Sequence, residues 1–258
     1  MTDFRLVIDS SGDFASVALF RGTKRIASAE SDRTKKHAQT LLPLIDRVLV
    51  QGGRTIAEQI GATAEGTVNL ATFAIKPSQL AAIYVCVGPG SFTGVRVAVA
   101  TAKGLAYPHR IPLYAFRSGL LHLCAYAVAQ EGKDWASRIA CAVPAGRGEL
   151  YYTLFAVHDD VAGASSAAAS VEHPKAERPW SVLEAGLIPE VGFVERAEAE
   201  GWKIVREPQF VPHVKHFFKL PHRVTEAADL GGVWQADVRT VVPEYYRKAQ
   251  AEELYGKA

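Results

Sequence analysis

The sequence predicts an α/β fold, and three patterns predict it. Short apolar strands at residues 4–8, 16–20 and 25–29 read as a meander, and a helix with apolar positions Leu41, Leu42, Ile45, Val48 and Leu49 follows them. A further strand at 82–87 breaks at Gly88-Pro89-Gly90 and reopens as a helix of small residues. The second half restarts with strands at 138–143 and 150–157, joined by the turn Pro144-Ala145-Gly146-Arg147-Gly148.

Within the first helix, Thr40 is the expected cap and Pro43 belongs to the first turn, where it loses no internal hydrogen bond; a helix starting earlier would have to kink. Two of its faces are apolar, which is satisfied either by core alone or by core plus a subunit interface. Residues 51–80 read as a connection holding one further helix near 55–64. The helix over 93–106 carries Gly94, Ala98 and Ala102 at helical spacing, a face that another backbone can approach closely. Pro108 and Pro112 then punctuate the chain before a strand at 113–115 and a helix over 118–131.

The boundary between two domains is placed here, at 1–111 and 112–258. In the second domain, 159–178 is rich in Ala and Ser and is expected to be a mobile loop. Beyond it the expectations are a small helix at 180–185, a strand or turn at 190–193, a helix at 194–201, a strand at 203–205, a helix at 227–236 and an extended aromatic tail.

At 258 residues, with 48% hydrophobic and 22% charged, the chain can bury a full core. Its formal net charge of +2 lacks the global basic field of a dedicated nucleic-acid binder, so any RNA contact must be local or shared. No run approaches the roughly 20 apolar residues of a membrane span, and no signal peptide precedes the first strand, so the expected location is the cytoplasm. Cys86, Cys124 and Cys141 are an odd number without metal-type spacing and read as reduced core thiols.

The loop Gly88, Pro89, Gly90, Ser91 and Thr93 places capping hydroxyls and free backbone N–H groups at a helix N-terminus, which favours an anion. It lacks both the Walker lysine and the dinucleotide glycine spacing, so a phosphate cradle and a well-capped tight turn both remain open. Asp9, Ser10 and Ser11 form a second polar turn at a strand end, with no cation to balance a triphosphate. A third feature, His213, Lys215, His216, Lys219, His222 and Arg223 interleaved with Phe217 and Phe218, suits RNA backbone contact or base stacking, or else is a solvated surface segment.

Several of these pieces, the strand ending Ile8-Asp9-Ser10-Ser11, His37 with Leu41-Leu42-Pro43, the block from Val87 to Arg96, Ala102-Lys103-Gly104-Leu105-Ala106 and Pro243-Glu244-Tyr245-Tyr246-Arg247, together resemble the TsaB family, also called YeaZ. That resemblance implies an actin-like ATPase (ribonuclease H-like) fold of two related α/β domains. It also implies a non-catalytic scaffold for TsaD, in a complex that transfers threonylcarbamoyl from its adenylate to the adenosine beside the anticodon of ANN-decoding tRNAs, with TsaE and tRNA joining through the complex.

On this reading the two helices present Leu41, Ile45, Val48, Ala98, Thr101 and Leu105 to TsaD, and the same face forms a homodimer when the chain is alone. Asp9, Ser10, Ser11 and the Gly88–Thr93 loop become degenerate nucleotide loops, with no cofactor beyond weak or vestigial nucleotide binding. No metal is expected, because the catalytic relative's His-x-x-x-His pair is reduced here to Ser118 and His122. Many members read Asp-Ala-Arg where this chain has Pro144-Ala145-Gly146-Arg147. The alternative is an enzyme of the same fold, an ATPase or small-molecule kinase or a glycoprotease-like peptidase, which would need a base and metal ligands that the motifs do not supply.

Overall fold

In a computed structural model, residues 3–33, 37–59, 74–131, 134–157, 180–219, 224–225 and 233–244 are described. The chain opens with the antiparallel meander β1 (Phe4–Asp9), β2 (Ser16–Arg21) and β3 (Lys24–Glu30). Helix α1 (His37–Gln59) leads to β4 (Leu80–Cys86), which lies parallel to β1. Helix α2 (Phe92–His109) then leads to β5 (Leu113–Phe116), parallel to β4.

After α3 (Ser118–Ala129), a second sheet is built from β6 (Arg138–Gly146), β7 (Glu149–Val157) and β8 (Trp180–Pro189), with α4 (Glu190–Glu200) returning the chain to β9 (Lys203–Val205) beside β6. A 3-10 segment, Val214–Lys219, precedes β10 (Val224–Thr225) and β11 (Val233–Ala236), which rejoin the first sheet next to β5. The first sheet therefore has the order β10-β11-β5-β4-β1-β2-β3 and the second β8-β7-β6-β9.

Each half repeats one scheme, a meander followed by a helix that returns the chain to a strand beside and parallel to the first strand of the meander. That repetition makes the two halves related α/β units. Apolar residues of the first sheet are split by strand alternation: Leu6, Ile8, Val17 and Leu19 pack under α1 and α2, while Val7, Ala18 and Phe20 pack toward α3, the 3-10 segment and the second sheet. The far face of the second sheet is covered by α4 through Tyr152, Phe193 and Trp202. Helix α3 approaches the second sheet so closely that a Cβ on Gly119 would lie 2.7 Å from the Thr153 hydroxyl.

Several expectations are revised. Helix α1 begins at His37, so Pro43 lies inside it rather than in its first turn, and it runs on through the stretch expected to hold part of a separate helix. Strands β5, β10 and β11 all belong to the first sheet, so no single cut in the chain separates the two sheets.

Residues 180–185 are strand, because β7 offers a free edge and pairs with β8 from Val157↔Trp180 to Glu149↔Pro189; that ladder overrides a weak local helical pattern. Residues 190–193 open α4, and 233–236 are strand rather than helix. The 159–178 loop and 227–232 lie outside the described residues.

Candidate functional site

Strands β1 and β4 are parallel neighbours, with Ile8 opposite Val85, so the turns that follow them lie side by side. Asp9, Ser10 and Ser11 are buried, and Asp9 Oδ1 accepts the Ser11 N–H at 2.9 Å, an Asx turn. The Ser10 hydroxyl donates to the Gly94 carbonyl at 2.7 Å, and the Ser91 N–H donates to the Ser11 carbonyl at 2.6 Å. Ser91 also caps α2, its Oγ accepting the Gly94 N–H at 3.2 Å, as its position before the helix predicts. Thr93, the other expected cap, sits exposed in the first turn.

Two further segments close on this joint from outside. Ser118 donates its backbone N–H to the Gly88 carbonyl at 2.9 Å and its hydroxyl to the Pro89 carbonyl at 2.6 Å. From the C-terminal tail, the Glu244 N–H donates to the Val87 carbonyl at 2.8 Å, and the Arg117 guanidinium holds the Glu244 carboxylate with two bonds of 2.6 and 2.8 Å. The tail is fastened a second time where Lys103 Nζ donates to the Arg239 and Val241 carbonyls, each at 3.2 Å.

These contacts make the Gly88 loop a packed joint in which three successive carbonyls and the Ser91 N–H are engaged by the chain itself. An anion approaching Gly90 would meet the Ser11 carbonyl, which is so near that a Cβ on Gly90 would sit 2.2 Å from its oxygen. Gly90→Ala must therefore push two backbone segments apart. It is expected to lower stability by about 2–4 kcal/mol, read as a drop in thermal midpoint.

The buried thiols and the buried imidazole of α3 are held neutral. Burial pushes the Cys86 thiol well above its usual range and the Asp9 charge adds to the effect, so it is no thiolate nucleophile. Burial likewise raises Cys124 and Cys141. His122 is buried on α3 with Nδ1 3.3 Å from the Ser118 carbonyl, and burial lowers its pKa to about 4. Among the described residues, no group of three or more His, Cys, Asp or Glu side chains is placed to hold a metal.

The two helices expected to form a partner face do lie on the same side of the first sheet and pack against each other. Four of the six residues assigned to that face point the other way. Leu41, Ile45, Val48 and Ala98 belong to the core beneath the helices, and Thr101 and Leu105 are half-buried on a flank of α2. The small-residue stripe of Gly94, Ala98 and Ala102, joined by Ala106, is what lets α2 settle onto its own sheet. Ala100, Gly104 and Tyr107 form its outward crown instead, and on α1 Leu42 is 57% exposed against 65% for Tyr107.

The basic and aromatic segment divides likewise. Phe217 is fully buried against Phe116 and Tyr84, and Phe218 packs edge-on against Phe20 at 4.8 Å, so neither ring is free to stack on a base. His213 is buried, with Nδ1 accepting the Lys215 N–H at 2.9 Å and Nε2 3.3 Å from Glu30. His222 and Arg223 lie outside the described residues.

Ser118, Arg117 and Glu244 were not singled out by sequence for these contacts. The Pro243-Glu244 motif was visible, but its partner is 127 residues away.

Repeated β-β-β-α-β halves around closed strand-end loops define a protein of the actin-like ATPase fold. The described helices include none long and apolar enough to cross a membrane. The family model for TsaD, described as tRNA N6-adenosine threonylcarbamoyltransferase, matches residues 54–178. The chain is 32% identical over 149 residues to the tRNA threonylcarbamoyladenosine biosynthesis protein TsaB of Haemophilus influenzae, covering 57% of this chain and 52% of that protein.

To the Escherichia coli protein of the same name it is 30% identical over 150 residues, covering 58% and 54% respectively. The chain thus spans about half the length of the curated relatives it matches. YeaZ from Pseudomonas aeruginosa shares its fold, with a TM-score of 0.58 at 19% identity over 94% of this chain and 99% of that one. In sequence the chain is similar to TsaB proteins over a little more than half its length, and in fold to YeaZ.

Proposed function

We propose that this chain is a non-catalytic partner subunit that docks on a TsaD homologue and supports threonylcarbamoyl transfer to the adenosine beside the anticodon of ANN-decoding tRNAs. The observation that carries this reading is the outer surface of α1 and α2. Leu42 of α1 and Phe92 and Tyr107 of α2 are exposed, as are the small positions Ala100 and Gly104 of α2, and a Cβ on Gly104 would meet nothing within 4 Å, which leaves room for another helix to approach. The same surface serves a second copy of the chain when the partner is absent, and TsaE and tRNA join through the assembled complex.

The partner face is thereby moved outward from Leu41, Ile45, Val48 and Ala98 to the crown of the same helices, with Thr101 and Leu105 at its margin. The closed joint around Gly88 supports a non-catalytic role, since its polar groups bind one another. Light scattering of the chain mixed with the TsaD homologue of its own organism is expected to show a mixed species heavier than either alone. Two unmixed species, or ATP turnover by the chain alone that Asp9→Ala abolishes, would overturn the reading in favour of an enzyme.

A further inference from the structure

The first sheet has a second face, and its margin carries Arg25, Lys215 and Lys219, none of them in an ion pair among the described residues. Arg5, Phe20 and Arg25 stand opposite one another across β1, β2 and β3, on the side away from α1 and α2. The segment Val214–Lys219 lies over this row: Phe218 packs on Phe20, and the Arg5 guanidinium sits 5.6 Å from the Phe218 ring. With Phe217 and Phe218 turned inward, Lys219 is exposed and Lys215 half-buried, and both lie with Arg25 around His216.

Arg5 is neutralised by Asp3 through bonds of 2.9 and 3.0 Å, and Glu30, whose oxygen lies 3.3 Å from Nε2 of the neutral His213, keeps its charge at the edge of this face. Arg25 bonds only the Ser28 hydroxyl at 2.9 Å, and neither Lys215 nor Lys219 has a carboxylate partner among the described residues. His216 reports the same crowding: besides its burial, Lys215, Arg25 and Lys219 all depress its pKa, to about 4.

We propose that Arg25, Lys215 and Lys219 form a contact surface for the phosphate backbone of RNA, an inference that rests on the proposed role in tRNA modification. Three cations without a carboxylate partner among the described residues, with no exposed aromatic side chain among them, fit sequence-independent phosphate contact and offer neither base stacking nor an apolar anchor for a protein. The surface lies on the opposite face of the sheet from α1 and α2. A partner seated on those helices therefore leaves it open, and the two contacts are compatible in one assembly.

The test is binding of an unmodified ANN-decoding tRNA transcript to the full chain, alone and mixed with the TsaD homologue, titrated between about 50 and 200 mM salt. Each of Arg25→Gln, Lys215→Gln and Lys219→Gln is expected to reduce the slope of log affinity against log salt by about one, and the triple variant to bind at least about tenfold more weakly near physiological salt. Lys203→Gln, at the exposed first residue of β9 in the second sheet, is expected to leave the slope unchanged.

An unchanged slope in the triple variant, or no RNA binding by either sample, overturns the proposal. So does loss of association with the TsaD homologue while RNA binding persists, because the surface would then be a protein interface. Light scattering run in parallel separates this failure from that of the subunit reading: RNA binding that falls as expected, with no mixed species, upholds the surface and refutes the partner.

Discussion

Ala98→Arg is expected to abolish folding of the chain, and Gly104→Arg to leave it folded while abolishing association with the TsaD homologue. The two positions lie on one helix, both have small side chains, and both receive the same charge. Ala98 has no exposed surface and faces the first sheet among Leu, Ile and Val side chains. An arginine there must bury its guanidinium without a partner or force α2 off the sheet, a cost above about 4 kcal/mol that exceeds what a marginally stable domain can absorb.

At Gly104 an added Cβ meets nothing within 4 Å, and leaving glycine inside a helix gains up to about 1 kcal/mol of helix propensity. The side chain projects into the space a partner helix needs, so only association suffers. Circular dichroism with light scattering checks both. A folded, partner-binding Gly104→Arg protein would remove the crown of α2 from the interface, and a folded Ala98→Arg protein would contradict the packing of the helix itself.

The contrast shows where sequence is sufficient and where it stops. The meander, the strand before Gly88, the helix after it and the Ser91 cap are legible because each depends on neighbours within a few residues. Leu41, Ile45 and Val48 are also legible as a stripe, but a stripe states only that something apolar covers it. Whether the cover is the chain's own sheet or another protein is decided by the strands beneath, and here β2 and β3 take the whole stripe. The residues left on the outer side of α2, Ala100, Gly104 and Tyr107, do not stand out in sequence because they form no apolar stripe.

Long-range pairing accounts for the other revisions. Strand β8 exists because β7 has an unpaired edge, and the weak alternation in residues 180–189 did not announce a partner some thirty residues earlier in the chain. Glu244 is similar. Its motif was recognisable, whereas its role, clamping the Gly88 loop through Arg117 and the Val87 carbonyl, depends on a tail returning across α2. Phe217 and Phe218 read equally well as stacking platforms or as core, and the aromatic cluster of Tyr84, Phe116 and Phe20 settles them as core.

Acid is expected to weaken the fold well above the pH at which carboxylates titrate, and the cause is the pair of buried imidazoles. His122 and His213 are held neutral, their pKa values lowered from the usual 6.5 to about 4 and about 3, chiefly by burial and for His213 also by Lys215, His216 and Arg25. Protonating His213 at Nδ1 would set its new N–H against the Lys215 N–H that it now accepts, so the first turn of the 3-10 segment must open. Above about pH 6.5 both imidazoles are neutral in the folded and unfolded chain, and nothing is lost.

Below that value the unfolded chain takes up protons that the folded chain refuses, so stability falls steadily as the pH drops toward the folded values. Near pH 5 the two groups together remove about 4 kcal/mol relative to neutral pH. His216, shifted the same way but half-exposed, adds a smaller loss. Denaturant unfolding between about pH 7 and 5 measures the slope. His213→Asn keeps an acceptor for Lys215 without a titrating ring and is expected to flatten the slope by about half. A slope equal to that of the wild-type protein would mean that His213 accepts its proton in the folded state, and that the segment over β1–β3 is not closed in solution.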